Sequence, residues 1–296
     1  VAIYDRMEEN APRIAIIGGS SDHPAHIMDP GTVARAALRI WTGGGIPFHF
    51  SVPVLCDGTA QSNMGMSYSL QSRNAIAEMI VNQMEAHSYH GAFVIQSCDK
   101  MPLAAVSALA HLDTLRRRRD EAPVFAAFAP AHVLKGGMIP DDVRRDLELL
   151  AADCRAAGHA EIAEDLEDTM HYILQCSSNT AFQGVFVRAV ERGILSPERH
   201  KALEKGLAVN TCDAKGGICA FNGTGNSSRH LVAALGLVHP AVELLTDPPP
   251  TPQVNAVVDD LLTLVERPEC GVASIVLANM ANAVRMHSAS GGSTNL

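Results

Sequence analysis

Aromatic residues are scarce in this chain, 4% of 296 residues, with a single Trp. A core with so few rings must be filled by small and branched side chains, which suits helices packed tightly on a sheet. Apolar runs of membrane-spanning length are missing, and nothing reads as a signal peptide, so the protein is expected in the cytoplasm and off the membrane. Basic residues are outnumbered, 23 Lys and Arg against 32 Asp and Glu. They form no long stripe, which argues against a nucleic-acid partner. The dense exception, RRRRDE at 116–121, reads as a solvated loop after a helix. The cysteines number seven, an odd count, and are widely spaced in a chain too long to need cross-links. That pattern suits a reducing cytosol better than a disulfide framework. Cys212 and Cys219 lack the spacing and neighbours of a zinc site. A full G-x-G-x-x-G is missing after the first apolar run, so IIGGSS at 16–21 is a weak nucleotide-binding signal. There is no internal repeat.

What is present is an alternation of strand and helix patterns. RIAIIGGS (13–20) reads as a strand ending in a Gly turn, and 30–45 as a helix with Pro at its start and glycines at its end. FHFSVPVL (48–55) is the second strand, followed by a helix over 69–87. HGAFVIQS (90–97) is the third strand, followed by a helix through AAVSALAHL. APVFAAFAP (122–130) is the fourth. The alternation predicts an α/β fold, a parallel sheet flanked by helices. The acidic stretch 141–175 reads as a helical pair, with further helices at 180–193 and 196–206. These form an added helical excursion, about 141–206, within one domain spanning 1–296. TDPPPTPQ (246–253) reads as a rigid linker or turn cluster, and helices resume over 254–266 and up to about 288.

The chemistry concentrates in SCDKMP (97–102), which sets a thiolate, a carboxylate and an amine on successive residues at the carboxyl end of a strand. Open α/β sheets place their ligands there. Soft Cys98 beside hard Asp99 suggests two different metals in one site. The structural alternative is a buried Cys followed by a helix N-cap Asp. A second segment, VLCDGTAQSNMGMSYSLQSRN (54–74), is also entered from an apolar run. A third, GGICAFNGTGNSS (216–228), combines glycines that admit a close ligand with a helix start able to hold a carboxylate or phosphate.

CDG, GMxYSLxSR, CDK, a Gly-flanked Cys leading into GT, and GGSTN at 291–295 follow one another over nearly the whole chain. In that order they resemble the dihydroxy-acid dehydratase and sugar-acid dehydratase family, iron–sulfur hydro-lyases that include phosphogluconate dehydratase. The resemblance implies an iron–sulfur cluster held by Cys98 and Cys219, with His26 or Cys56 as a third ligand. Many members carry an early Pro-Cys-Asn. Here Pro24-Ala25-His26 stands in its place, which leaves 2Fe–2S or 4Fe–4S open. It implies Mg2+ on Asp57, Asp99 and Lys100, the lysine being carboxylated, and a catalytic role for Lys100. Ser293, Thr294 and Asn295 match a substrate loop. One residue, Met101, separates CDK from Pro, where the family has two. The reaction implied is dehydration of a sugar acid, an aldonate or phosphogluconate, to a 2-keto-3-deoxy acid. The pattern Cys-x-Phe-x-Gly-Thr from Cys219 favours that branch. The alternatives are a branched-chain 2,3-dihydroxy acid as substrate, or a degenerate homologue that only binds. Members are longer than this chain. Their second, β-rich domain carries a catalytic serine, so the chain is expected to be the amino-terminal half, needing that half or a partner subunit, in a homodimer or larger assembly.

Overall fold

The computed structural model describes residues 2–21, 30–60, 64–98, 100–130, 133, 135–212, 217, 219, 222–242 and 247–296. Four strands, β1 (Arg13–Ser21), β2 (Ile46–Val54), β3 (Gly91–Gln96) and β4 (Phe125–Pro130), form a parallel sheet in the order β2-β1-β3-β4. The helices before Lys135 are α1 (Ala2–Glu8), α2 (Pro30–Thr42), α3 (Asp57–Ala60), α4 (Gly65–Ala86) and α5 (Met101–Arg118). After them come α6 (Asp141–Ala156), α7 (Ala160–Met170), α8 (Cys176–Glu191) and α9 (Pro197–Ala208). The last are α10 (Thr224–Ala234), α11 (Thr251–Thr263) and α12 (Val272–Ala289). The chain divides into two compact units, one of Val1–Leu134 with Lys215–Leu296, the other Lys135–Ala214. No helix among the described residues is long and apolar enough to cross a membrane.

In the first unit the strand residues alternate between two buried faces. Ile14, Ile16, Phe93 and Ile95 pack with Ile40 of α2 and Val254, Val257 and Val258 of α11. Ala15, Ile17, Ala92 and Val94 pack with α4, α5, α10 and α12. Helix α4 contributes Ile76, Ile80 and Met84, spaced to share one stripe. The sheet is thus covered on both sides, as the alternating pattern predicts. β1 has β2 on one side and β3 on the other, so the strand order reverses there. Ligand crevices open at such a switch point, beyond the carboxyl ends of the strands.

Three local expectations are corrected. The glycines of RIAIIGGS do not turn the chain, because β1 continues to Ser21 and pairs with β2 throughout. The arginines after α5 do not form a solvated loop either, because α5 runs through Arg118. Arg116 is buried, with its guanidinium donating to the Tyr89 carbonyl at 2.9 Å and to Glu85 at 3.1 Å. A cation in the last helical turn also meets the negative end of the helix dipole. TDPPPTPQ is in part helix, since α11 starts at Thr251 with Pro in its first turn.

His90 joins two strand starts. Its Nδ1 accepts the Arg13 backbone N–H at 3.0 Å, so the ring is held neutral at that nitrogen. Burial, then the charges of Arg13 and Arg116, push its pKa below the ordinary histidine value. The contribution to stability is therefore full above that ordinary value, about 6.5. It declines as pH falls through it, because the unfolded chain then binds a proton the folded chain resists. Melting temperature measured against pH should fall on acidification, and His90→Asn, which keeps an acceptor without a titrating ring, should flatten the slope between pH 7 and 5.

The second unit is helical. Leu147, Leu150, Leu166, Phe182 and Phe186 are fully buried among α6 to α9. Its helix starts are locally encoded. Gln175 and Ser178 form a capping box on α8, and Ser196 caps α9 ahead of Pro197.

Candidate active site

The carboxyl ends of β2 and β3 converge above β1. A Cβ on Gly19 would lie 2.7 Å from both Val54 Cγ2 and Ser97 Cβ. Only a residue with no side chain lets the two flanking strand ends come that close, which gives this glycine its reason. Cys56 and Asp57 follow β2, and Cys98 and Lys100 follow β3. The convergence brings the second pair to the first.

The Lys100 side chain is 1% exposed, and its Nζ donates to Asp57 Oδ2 at 2.6 Å. Asp57 Oδ1 accepts the hydroxyl proton of Ser69 from α4. Ser72 Oγ, one turn on, donates to the Ser69 carbonyl at 2.7 Å. The CDG, CDK and YSLxSR segments therefore meet at one carboxylate. An ammonium buried this deeply is retained only when paired. Cys56 and Cys98 lie close by in sequence, both 1% exposed and part of the same apolar cluster.

The remaining motifs dock on this group through hydrogen bonds. Arg73 of α4 donates to the Asn295 carbonyl at 2.8 Å. The Ser293 N–H donates to Ser227 Oγ of α10 at 3.1 Å, and Asn222 Nδ2 donates to the Ser290 carbonyl at 2.6 Å. The paired glycines of GGSTN serve this junction. Gly291 has φ of 60° and ends α12 in the left-handed conformation, and a side chain on Gly292 would strike the His287 ring. Thr294 is exposed.

Cys219 is partly buried, in the approach to α10. His26 and Asp99, with Pro24 and Ala25, lie outside the described residues. Among the described residues no three of His, Cys, Asp and Glu are grouped to hold a metal ion. Cys154 belongs to the core of the helical unit, where burial and then the charges of Asp153 and Glu161 push its thiol up. Sequence reasoning gave no role to Ser69, Arg73, Asn222 or Ser227. The first two were signalled by their place in YSLQSR, the others by NGTGNSS. Nor did it assign Gln96 and Ser97, whose side-chain polar atoms are buried without a partner among the described residues, immediately before Cys98. A glutamine ending an otherwise apolar strand was the available sign.

The donors present fit the groups that this arrangement invites. Buried thiols suit soft iron, and the Lys100 ammonium on Asp57 is a stand-in for a hard cation at that carboxylate. Residues 11–115 match the family described as Dihydroxy-acid/6-phosphogluconate dehydratase N-terminal. A dihydroxy-acid dehydratase of Thermodesulfovibrio yellowstonii is 29% identical over 218 residues, 69% of this chain and 38% of that protein. Its namesake from Methanococcoides burtonii is 26% identical over 295 residues, 97% of this chain and 44% of that protein. A third, from Clostridium pasteurianum, is 29% identical over 241 residues, 80% of this chain and 66% of that protein. The chain thus spans less than half the length of the first two.

Proposed function

We propose, from the match of residues 11–115 to the dihydroxy-acid/6-phosphogluconate dehydratase amino-terminal family, that this chain supplies the ligand-binding half of a hydro-lyase acting on a 2,3-dihydroxy acid. The observation that carries the reading is the buried Lys100–Asp57 pair, which joins two motif segments at the carboxyl edge of the sheet. Dehydration removes the proton on C2 and the hydroxide on C3, and the enol left behind becomes a 2-keto acid. The C2 proton is barely acidic and hydroxide leaves poorly, so the site must stabilise charge on both oxygen-bearing carbons. Bound Mg2+ and an iron–sulfur cluster would supply that Lewis acidity.

This chain's residues would divide the work by chemistry. Asp57, Asp99 and Lys100, the last as its carboxylated form, offer hard oxygen ligands. Cys98 and Cys219 offer thiolates, with Cys56 or His26 as a third ligand. Ser69 holds the Asp57 carboxylate in one orientation through its hydroxyl. Arg73 fixes the segment that carries Ser293 to Asn295 against α4. These contacts are second-layer supports of the sort that keep ligands in place. Within the substrate class, the Cys-x-Phe-x-Gly-Thr pattern supports a sugar acid, the name dihydroxy-acid dehydratase carried by the relatives favours the branched-chain alternative, and the family description covers both. The binding-only alternative has no such support, since the relatives bear the name of an enzyme.

Anaerobic reconstitution with iron and sulfide tests the reading. The wild-type chain should take up iron and gain visible absorbance, and Cys98→Ser and Cys219→Ser should each lose most of both while keeping the same circular dichroism. A folded wild type that binds no iron, alone or with the rest of the protein supplied, sinks it. Turnover of aldonates beside a branched 2,3-dihydroxy acid then separates the two branches.

A further inference from the structure

Gln96 is the last residue of β3 and has no solvent exposure, yet among the described residues neither its Nε2 nor its Oε1 has a hydrogen-bond partner. Ala92 and Val94 face the cluster of side chains shared with α4 and α5, and Phe93 and Ile95 face the opposite one. The period of two places Gln96 on the Ala92 and Val94 face, the same cluster that contains Cys98. A leucine of similar shape would fill this position without desolvating an amide. A carboxamide kept there points to a partner that the described residues do not provide.

We infer that the Gln96 carboxamide donates an N–H hydrogen bond to sulfur of the iron–sulfur group that Cys98 would hold, and so sets its reduction potential; this rests on the family reading above. A thiolate or sulfide carrying iron is an anionic acceptor without protons, so it selects the donor end of the amide. Hydrogen bonds to sulfur stabilise the more negatively charged reduced state and raise the potential. Gln96 is thus a positioning and tuning residue and touches no reacting bond.

The test compares wild type with Gln96→Leu and Gln96→Asn after anaerobic reconstitution of the chain with iron and sulfide. Iron content, the visible charge-transfer bands and the reduction midpoint are read, together with the melting temperature of the iron-free proteins. Gln96→Leu should melt at or above wild type without iron, because it removes an unpaired buried amide. Once loaded, it should show a more negative midpoint and displaced bands. Gln96→Asn, whose amide sits one methylene short, should shift the midpoint in the same direction. Equal midpoint and bands at equal iron content overturn the inference and leave the family reading standing. A folded wild type that takes up no iron, alone or with the rest of the protein supplied, removes the reading itself, so the two failures are told apart by the wild type.

Discussion

Asp57→Ala is expected to destabilise the first unit by about 3–5 kcal/mol, because it leaves the Lys100 ammonium buried without its counter-charge. Among the described residues Asp57 alone accepts from Lys100 Nζ, and the side chain is 1% exposed. Lys100→Met behaves differently. The methionine joins an apolar cluster that already contains Met101 and Cys98. Asp57 keeps the Ser69 hydroxyl and is 17% exposed, so its charge retains some water. The loss should be about 1 kcal/mol or less, since replacing a buried ion pair by apolar packing is often neutral. The double variant should recover most of what Asp57→Ala loses. Urea unfolding of the four proteins measures the coupling directly. Activity of the complete enzyme is expected to follow another order, with both single variants at least about 100-fold down in kcat. That split is the signature of a residue kept for chemistry and tolerated by the fold. If Asp57→Ala unfolds within 1 kcal/mol of wild type, the pair is solvated and does not bear on the core.

The fold was legible because the sequence signals were local and mutually consistent. Apolar runs such as AFVIQ and FAAFA lie between helices with ordinary start and stop residues, and a parallel sheet buried on both faces needs no more than that. The site was legible as far as motif order carried it. CDG and CDK could be read as neighbours, but not the Ser69 hydroxyl on Asp57, because no linear spacing reveals which helix face leans over a strand end. Gly18 and Gly19 misled for a physical reason. Paired glycines usually mark a turn, whereas Gly19 is required by close approach of Val54 and Ser97 within the sheet. The RRRRDE run misled because a charge cluster reads as solvated until a buried carbonyl, here that of Tyr89, claims one of its members. Gln96 was passed over because a polar residue at a strand end is common, and only its burial without a partner makes it unusual.

Asp113→Ala should be the most damaging substitution outside the ligand set, at about 2–6 kcal/mol, from one buried and one half-buried N–H group losing their acceptor at about 1–3 kcal/mol each. The Asp113 side chain has no exposure and sits about one and a half turns before the end of α5. Its Oδ1 accepts the Val124 N–H at 3.0 Å, just ahead of β4, and its Oδ2 accepts the Ala273 N–H at 2.8 Å, in the first turn of α12. Arg117 one turn on supplies the counter-charge at 3.2 Å. The carboxylate thus caps α12 from outside that helix, where Gly271 offers no side chain to do so. Asp113→Asn should restore at most half of the loss, because an amide accepts one N–H and turns a donor toward the other. Urea unfolding gives the magnitude, and amide hydrogen exchange gives the location, with protection lost first at Val124 and through the first turn of α12. Since α12 runs directly into Ser290 and the segment that binds Arg73, Ser227 and Asn222, its loosening should also raise KM more than it lowers kcat in the complete enzyme. Unchanged exchange along α12 in a folded Asp113→Ala protein would show that the Val124 carbonyl, which accepts the Val272 N–H at 2.9 Å, anchors the helix by itself.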